Sequence, residues 1–302
     1  MKIAALNKDG KSVLGVHIES GIIDIEQALK AVPASHDVPV DVEQFIHGGP
    51  TARAALREYV DQLLSEQDIA QQADFMVDES EVSFGPCVAN PQKIICVGLN
   101  YRQHAIETGS AIPTVPILFN KFANALAAHR EEVVLPDVSN KIDYEAELAI
   151  VIGREAKNVS KQEALNYVLG YCNSNDLSAR DLQMKTPQWM LGKTCDQFCP
   201  IGPYLVTTDE IPNPNGLKIR SIVNGEVRQD SNTADMIFYC DEIISYISQH
   251  MTLMPGDIIL TGTPEGVVMG YPPEKQVYLQ DGDVVTIEIE HLGKLTNRMV
   301  KK

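Results

Sequence analysis

The sequence predicts an α+β protein that is mainly β, in two parts: a small N-terminal α+β domain over residues 1–90 and a larger domain over 91–302. Three observations carry this. From Lys93 onward, short β-rich runs are punctuated by Gly and Pro. No regular alternation of strand and helix accompanies them, which argues against a doubly wound or TIM-type sheet. Before Lys93 the pattern differs, with strand pieces followed by helices and an acid-rich passage. The chain has 302 residues, 44% of them hydrophobic, which is enough for a real core and argues against disorder.

In order along the chain, strands over 2–6, 12–18 and 21–24 open the first part. A helix over 51–64 follows, because Ala55, Leu56, Tyr59, Val60, Leu63 and Leu64 recur at helical spacing. The acid-rich stretch 67–81 leads to Pro86 and Pro91, where the boundary falls. This part shows no chemical motif and reads as a cap or scaffold. In the second part, strands are expected over 94–97, 147–152, 217–223, 257–261 and 283–289. Helices are expected over 160–167 and 241–249. Asn224-Gly225 between two β-rich runs is a hairpin signal.

Charge excludes several classes of partner. There are 25 Lys+Arg against 41 Asp+Glu, a formal net charge of −16. The first 92 residues hold 6 basic and 15 acidic side chains, more than half of the surplus, a distribution that serves solubility. No basic run exceeds Lys301-Lys302, so neither nucleic acid nor anionic membrane is an expected partner. Aliphatic runs such as 148–152 are of strand length, far short of the ~18–20 residues that span a bilayer. The N-terminus lacks the apolar stretch of a signal peptide. The six cysteines (87, 96, 172, 195, 199 and 240) form no CxxC pair and read as free thiols in a reducing cytosol, so a cytoplasmic location is expected.

Four segments can carry chemistry. Glu145 and Glu147 are two apart, running into a strand, and so share a face. Carboxylates that close repel unless a proton or a hard divalent cation neutralises them. They are a cation site or an exposed acidic edge. Asp176 is a third candidate ligand, with Asp181 competing and a turn or cap role open to both. Within Gly98 to Gly109, His104 and Glu107 lie one helical turn apart. That suits a general base with its orienting carboxylate, on a short lid-like helix, or else an ordinary surface pair. Lys193 follows Gly192 among apolar residues, so it is either partly buried with an anionic partner or an ordinary loop lysine. The single Trp189 reads as core rather than as a binding platform. Thr261-Gly-Thr-Pro264 is a tight turn whose amides and hydroxyls can bind a carboxylate.

Taken in order, these residues resemble the fumarylacetoacetate hydrolase family over residues 93–298. The resemblance rests on Asn100, Tyr101, His104 and Glu107, on Tyr144-Glu145-Ala-Glu147, on Asn175 through Gln183, and on Gly192-Lys193. The Asn224-Gly225-Glu226 hairpin and Thr261 to Pro264 complete it. It looks closest to the branch with acylpyruvate hydrolases, oxaloacetate decarboxylases and oxaloacetate tautomerases. The resemblance implies a mixed β-sandwich roll and a homodimer. It implies one Mg2+ or Mn2+ per subunit held by Glu145, Glu147 and Asp176, and a lid carrying His104 and Glu107. It assigns Lys193 to catalysis, puts Arg180 and Gln183 near the substrate, and has Thr263 touch it. Lys121 joins them because an anionic substrate needs local positive charge. Gln197 stands where the family often has Thr, which is expected to alter the pocket.

The implied chemistry is Lewis-acid stabilisation of an enolate at C2–C3 of a short 2-oxo acid. C–C cleavage is the first expectation, by hydrolysis of an acylpyruvate or decarboxylation of oxaloacetate. The alternatives are a keto–enol tautomerase of oxaloacetate, an isomerase of a 2-hydroxy-dienedioate, or a non-catalytic binder of 2-oxo acids. The Asp/Asn spacing and central Gly of a calcium loop are absent around 143–147.

Overall fold

A computed structural model describes residues 1–65 and 74–302. Positions 67–73 of the acid-rich passage lie outside the described residues. The first part contains β1 (Lys2–Lys8), β2 (Lys11–Ile18), β3 (Gly21–Asp24), α1 (Ile25–Ala31), α2 (Val42–His47), α3 (Gly49–Ser65) and β4 (Met76–Val77). Asp24 and Asp41 accept backbone N–H groups of Gln27 and Gln44 at the starts of α1 and α2, an N-cap that satisfies otherwise orphaned donors. There follow β5 (Ile94–Gly98), α4 (Arg102–Glu107), β6 (Ile117–Lys121), β7 (Leu126–Ala127), β8 (Glu132–Val134), β9 (Ile142–Asp143) and β10 (Ala146–Ile152). Next come β11 (Val168–Asn175), β12 (Ser178–Ala179), α5 (Arg180–Gln183), α6 (Met190–Lys193) and β13 (Cys199–Thr207). The chain closes with β14 (Lys218–Val223), β15 (Glu226–Asn232), α7 (Cys240–His250), β16 (Ile258–Leu260), β17 (Val284–Ile289) and β18 (Gly293–Val300).

Two large sheets dominate. One runs β4-β3-β2-β1-β13-β11-β10-β16-β5-β6, with β7 added beside β13. Its pairs are antiparallel except β16–β5 and β13–β7. The other runs β15-β14-β17-β18-β8. The strands of the first sheet alternate between two cores. Leu148, Ile150 and Ile152 of β10 belong to the core shared with Ile219, Val285 and Ile287 of the second sheet. Ala149 and Val151 belong to the core shared with Phe45, Leu56 and Tyr59 of α2 and α3. A sheet covered on both faces needs apolar residues at both parities, which is why β10 is an almost unbroken aliphatic run.

The division at residue 90 is a division of sequence pattern. In space β1 pairs with β13, from Lys2 opposite Val206 to Ala4 opposite Tyr204, so one sheet crosses it. One expected helix is reduced. Over 160–167 only the single turn Ala164–Tyr167 forms, of 3-10 type. The segment is short because β11 begins at Val168 and the Tyr167 carbonyl is taken by Gly153 N–H. Its backbone bonds run over three residues, from Glu163, Ala164 and Asn166 N–H to the Ser160, Lys161 and Glu163 carbonyls, the tighter pattern used in short connectors.

Candidate metal centre and active site

The register of β10 against β11 builds the carboxylate cluster. Ala146 lies opposite Asn175, which brings Glu145 and Asp176 face to face just past the strand ends, with Asp176 N–H donating to the Glu145 carbonyl at 3.0 Å. Glu147, two residues along, points to the same side. One carboxylate oxygen from each of Glu145, Glu147 and Asp176 lies within 4.8 Å of the others, and all three side chains are buried. Residues 29 apart in sequence thus meet through strand pairing.

Three buried cations surround them. Lys193 Nζ is 2.7 Å from Glu145 Oε2 and 2.7 Å from Asp176 Oδ2. Arg180 pairs Nη2 with Glu145 Oε1 at 2.7 Å, and its Nε donates to Asp143 Oδ2 at 2.9 Å. Lys121 pairs with Asp176 and donates to the Leu177 carbonyl at 3.2 Å. Asp143 also accepts N–H groups from Tyr144, Val268 and Met269, so its lone pairs are taken and it serves the frame. Four buried carboxylates, Asp143 included, face three buried cations, which leaves one negative charge over.

That surplus falls on Glu147. Burial, then the neighbouring Asp176 and Glu145, push its pKa well above the ordinary value. Burial acts on Glu145 in the same direction, but Lys193 and Arg180 outweigh it and hold the carboxyl below its ordinary value. Burial lowers Lys193 and Arg180, yet their carboxylate neighbours dominate and both end up raised, so both stay charged. Oxygen-only donors with a surplus negative charge suit a hard divalent cation such as Mg2+ or Mn2+. Glu147 retains a fixed partner in the Gly262 amide, which donates to Oε2 at 2.7 Å. Gly262 has φ +97°, and a Cβ there would stand 2.7 Å from Asn100 Cβ and 2.9 Å from the Val97 carbonyl. Only glycine lets that amide reach the carboxylate.

The imidazole arrives on α4. Asn100, fully buried, fixes the entry to this helix by donating to the carbonyls of Phe238 and Thr261 and accepting from Phe238 N–H. His104 Nδ1 lies 2.8 Å from Glu107 Oε1. The carboxylate makes Nδ1 the protonated nitrogen and leaves Nε2 with its lone pair. Glu107 Oε2 accepts from Gly266 N–H at 3.0 Å, which ties α4 to the Thr261–Gly266 turn. His104, Glu145, Glu147, Arg180, Gln183, Lys193 and Thr263 line one cavity of about 90 Å³. Arg180 Nη1 donates to Gln183 Oε1 at 2.9 Å, so the amide N–H pair of Gln183 is left for other partners.

Several expectations need correction. Lys121 does not line this cavity; it is buried against Asp176 and the Leu177 carbonyl. Asp181 is outside the cluster, bound to the Ser139 hydroxyl and Asn140 N–H. Gln197 does not touch the pocket either. It accepts from Val134 N–H and donates to Glu131 and the Glu132 carbonyl. Trp189 is no core residue: half-buried, it lines the cavity. Sequence reasoning missed Gln229, which accepts from Ala146 N–H and donates to the Thr263 hydroxyl and the Pro264 carbonyl, linking β10 to the turn. A lone glutamine on a polar strand carries no signal.

The family described as "Fumarylacetoacetate (FAA) hydrolase C-terminal" matches residues 93–300. The mitochondrial oxaloacetate tautomerase Fahd2a of Rattus norvegicus is 41% identical over 94% of this chain and 85% of its own. The mitochondrial oxaloacetate tautomerase fahd2 of Xenopus laevis is 43% identical over 95% and 86%. Among solved structures, maleylpyruvate hydrolase from Sphingobium sp. SYK-6, in complex with manganese(II) and pyruvate, superposes with TM-score 0.77 at 30% identity. It covers 100% of this chain and 99% of that one. The mitochondrial names of the relatives overturn the expected cytoplasmic location. The physical reason is plain. All six cysteines are free and five are buried, which reports protection from oxidation and not which compartment provides it.

Proposed function

The chain belongs to the fumarylacetoacetate hydrolase family, and from that membership we propose that it is a divalent-metal-dependent keto–enol tautomerase of oxaloacetate. One observation carries this reading: His104, paired with Glu107, lines a cavity of only about 90 Å³ together with Glu145 and Glu147, and Asp176 lies within 4.8 Å of these two carboxylates. Ordinary ligand pockets measure ~300–1,000 Å³, so a four-carbon diacid fits better than a long acylpyruvate. The names of the 41% and 43% identical relatives support the same substrate. Tautomerisation thereby replaces C–C cleavage as the first reading, since it asks only that a proton leave C3 and another reach the C2 oxygen.

Glu145, Glu147 and Asp176 would hold one Mg2+ or Mn2+. The ion would supply Lewis acidity toward the C1 carboxylate and C2 oxygen of the substrate. His104 Nε2 takes the C3 proton and the imidazolium so formed, stabilised by Glu107, gives it up to the C2 oxygen; the reverse reaction runs the same transfers backwards and returns the proton to C3. The Lys193 ammonium stabilises negative charge on the substrate oxygens. Thr263, whose oxygen already accepts from Gln229, is left with its own O–H to donate. The free amide of Gln183 holds the far carboxylate, beside an Arg180 already committed to Asp143 and Glu145. Helix α4 serves as the lid.

The test is to add enol-oxaloacetate to the Mg2+-loaded protein and follow enol absorbance and pyruvate together. Expected is enol–keto exchange well above buffer, with no pyruvate beyond the spontaneous rate. Pyruvate released in step with substrate loss would return the decarboxylase reading, and no change in either signal would reject oxaloacetate. His104→Ala should lower the exchange rate by about 10²–10⁴-fold while calorimetric Mg2+ binding persists.

A further inference from the structure

Trp189 is the only tryptophan of the chain, and it sits in a stretch otherwise turned to solvent. Met184 is 66% exposed and Met190 43%, whereas Trp189 is half-buried. Its indole is held on two sides. It lies on Gly98 of β5 so closely that a Cβ there would come within 2.4 Å of the ring. It meets Phe119 of β6 edge-on, with ring centroids 5.4 Å apart. Phe119 in turn lies under the Lys193 ammonium, 5.0 Å from the ring centroid. Gly98, Phe119, Trp189 and Lys193 all line the cavity. None of the proton transfers described above needs an indole. The two rings form an apolar wall that starts at the Lys193 ammonium and is anchored to two strands.

We propose that Trp189, seated on Gly98 and Phe119, sets the upper size limit of the substrate and restricts the site to short 2-oxo acids; this rests on the 2-oxo-acid reading above. An indole braced against a strand and a second ring cannot yield to a longer chain without losing both contacts. Removing it takes one wall from the cavity beside Met184, another lining side chain and one that is 66% exposed. Discrimination by fit in an apolar pocket amounts to roughly 10–200-fold per methylene, so the effect is large enough to measure.

The experiment measures binding, not turnover. Mg2+-loaded wild type, Trp189→Ala and Trp189→Phe are titrated calorimetrically with oxalate, pyruvate, 2-oxopentanoate and 2-oxooctanoate. Oxalate is too short to reach the wall and should bind all three proteins within about threefold. In wild type, affinity should fall with chain length. In Trp189→Ala the ratio of long-chain to short-chain affinity should rise at least tenfold, with Trp189→Phe in between. An unchanged ratio in a Trp189→Ala protein that still binds oxalate and melts like wild type overturns the proposal. Should that variant not fold, an unchanged ratio in Trp189→Phe does the same. Oxalate bound without any oxaloacetate tautomerisation would reject the activity and leave the size limit standing. Failure of wild type to bind oxalate would reject the 2-oxo-acid reading and this proposal with it.

Discussion

Asp176 and Glu147 occupy the same cluster but carry different duties, and their removal should differ accordingly. Asp176 is the shared partner of Lys121 and Lys193. Asp176→Asn therefore leaves two buried ammonium groups short of an anion, which costs roughly 3–5 kcal/mol. Among the described residues Glu147 has no cation within salt-bridge distance, and its hydrogen bond from Gly262 N–H survives in Gln. Glu147→Gln should keep stability in chelator within about 1 kcal/mol of wild type, or raise it by relieving repulsion. Both should bind Mg2+ about 100-fold or more weakly. Urea melts in chelator and calorimetric titration separate the two, and equal loss of stability would contradict these roles. Glu107→Gln retains an oxygen for the Gly266 amide but not the charge that settles the His104 tautomer, so kcat should fall roughly 10–100-fold with Mg2+ affinity unchanged.

Among the elements, the pairing of β10 with β11 decides the site. The alternation of Glu145 and Glu147 was legible from the two-residue strand repeat, and their cavity-facing placement agrees with it. That Asp176 and not Asp181 joins them follows from the Ala146–Asn175 register, which a single sequence does not contain. The hairpin at Asn224-Gly225 was legible because both residues take positive φ, 51° and 84°, which that dipeptide tolerates. The turn after β16 was legible as a turn, but its ligand is the Glu147 carboxylate of the protein itself. Gly262→Ala should cost roughly 2–4 kcal/mol through strain and overlap and weaken Mg2+ binding by withdrawing the amide; a wild-type melt would contradict this. Between β7 and β18, His129 Nδ1 accepts from Thr296 N–H at 3.0 Å. Burial, then Arg130, lower its pKa from 6.5 to about 4. The folded state thus resists a proton that the unfolded chain accepts. Stability is full above pH ~6.5 and is lost as pH falls toward 4, by on the order of 3 kcal/mol. His129→Gln should flatten the melting temperature between those pH values, and an unaltered slope would exclude this histidine.

Across the whole molecule, the −16 charge separates into a solvated surface and one buried cluster with its own balance. One surplus negative charge becomes one positive when a divalent cation is added, which suits an anionic substrate. Mg2+ at a hundred times its Kd should add about 2.7 kcal/mol of stability. A chelator should remove this, and Glu147→Gln should show little of it. The homodimer is proposed from the family resemblance. Strand β6 ends its sheet, and Val115 and Phe122 beside it are 53% and 51% exposed. Sedimentation should give twice the 33.2 kDa of the chain; a monomer at micromolar concentration would reject it.

The sequence by itself determined the strand-rich class, the family, the carboxylate pair on one strand face and the His104–Glu107 turn. Each is a local pattern, and a strand's two-residue repeat or a helix's turn places such groups without help from the rest of the chain. Only the tertiary structure decided that Lys121 is buried against Asp176, that Gln197 is remote, that Trp189 walls the cavity and that the N-terminal strands share the main sheet. Those outcomes depend on register and on which faces two cores cover. They are set by contacts between residues far apart along the chain, whose energies no short window of sequence contains.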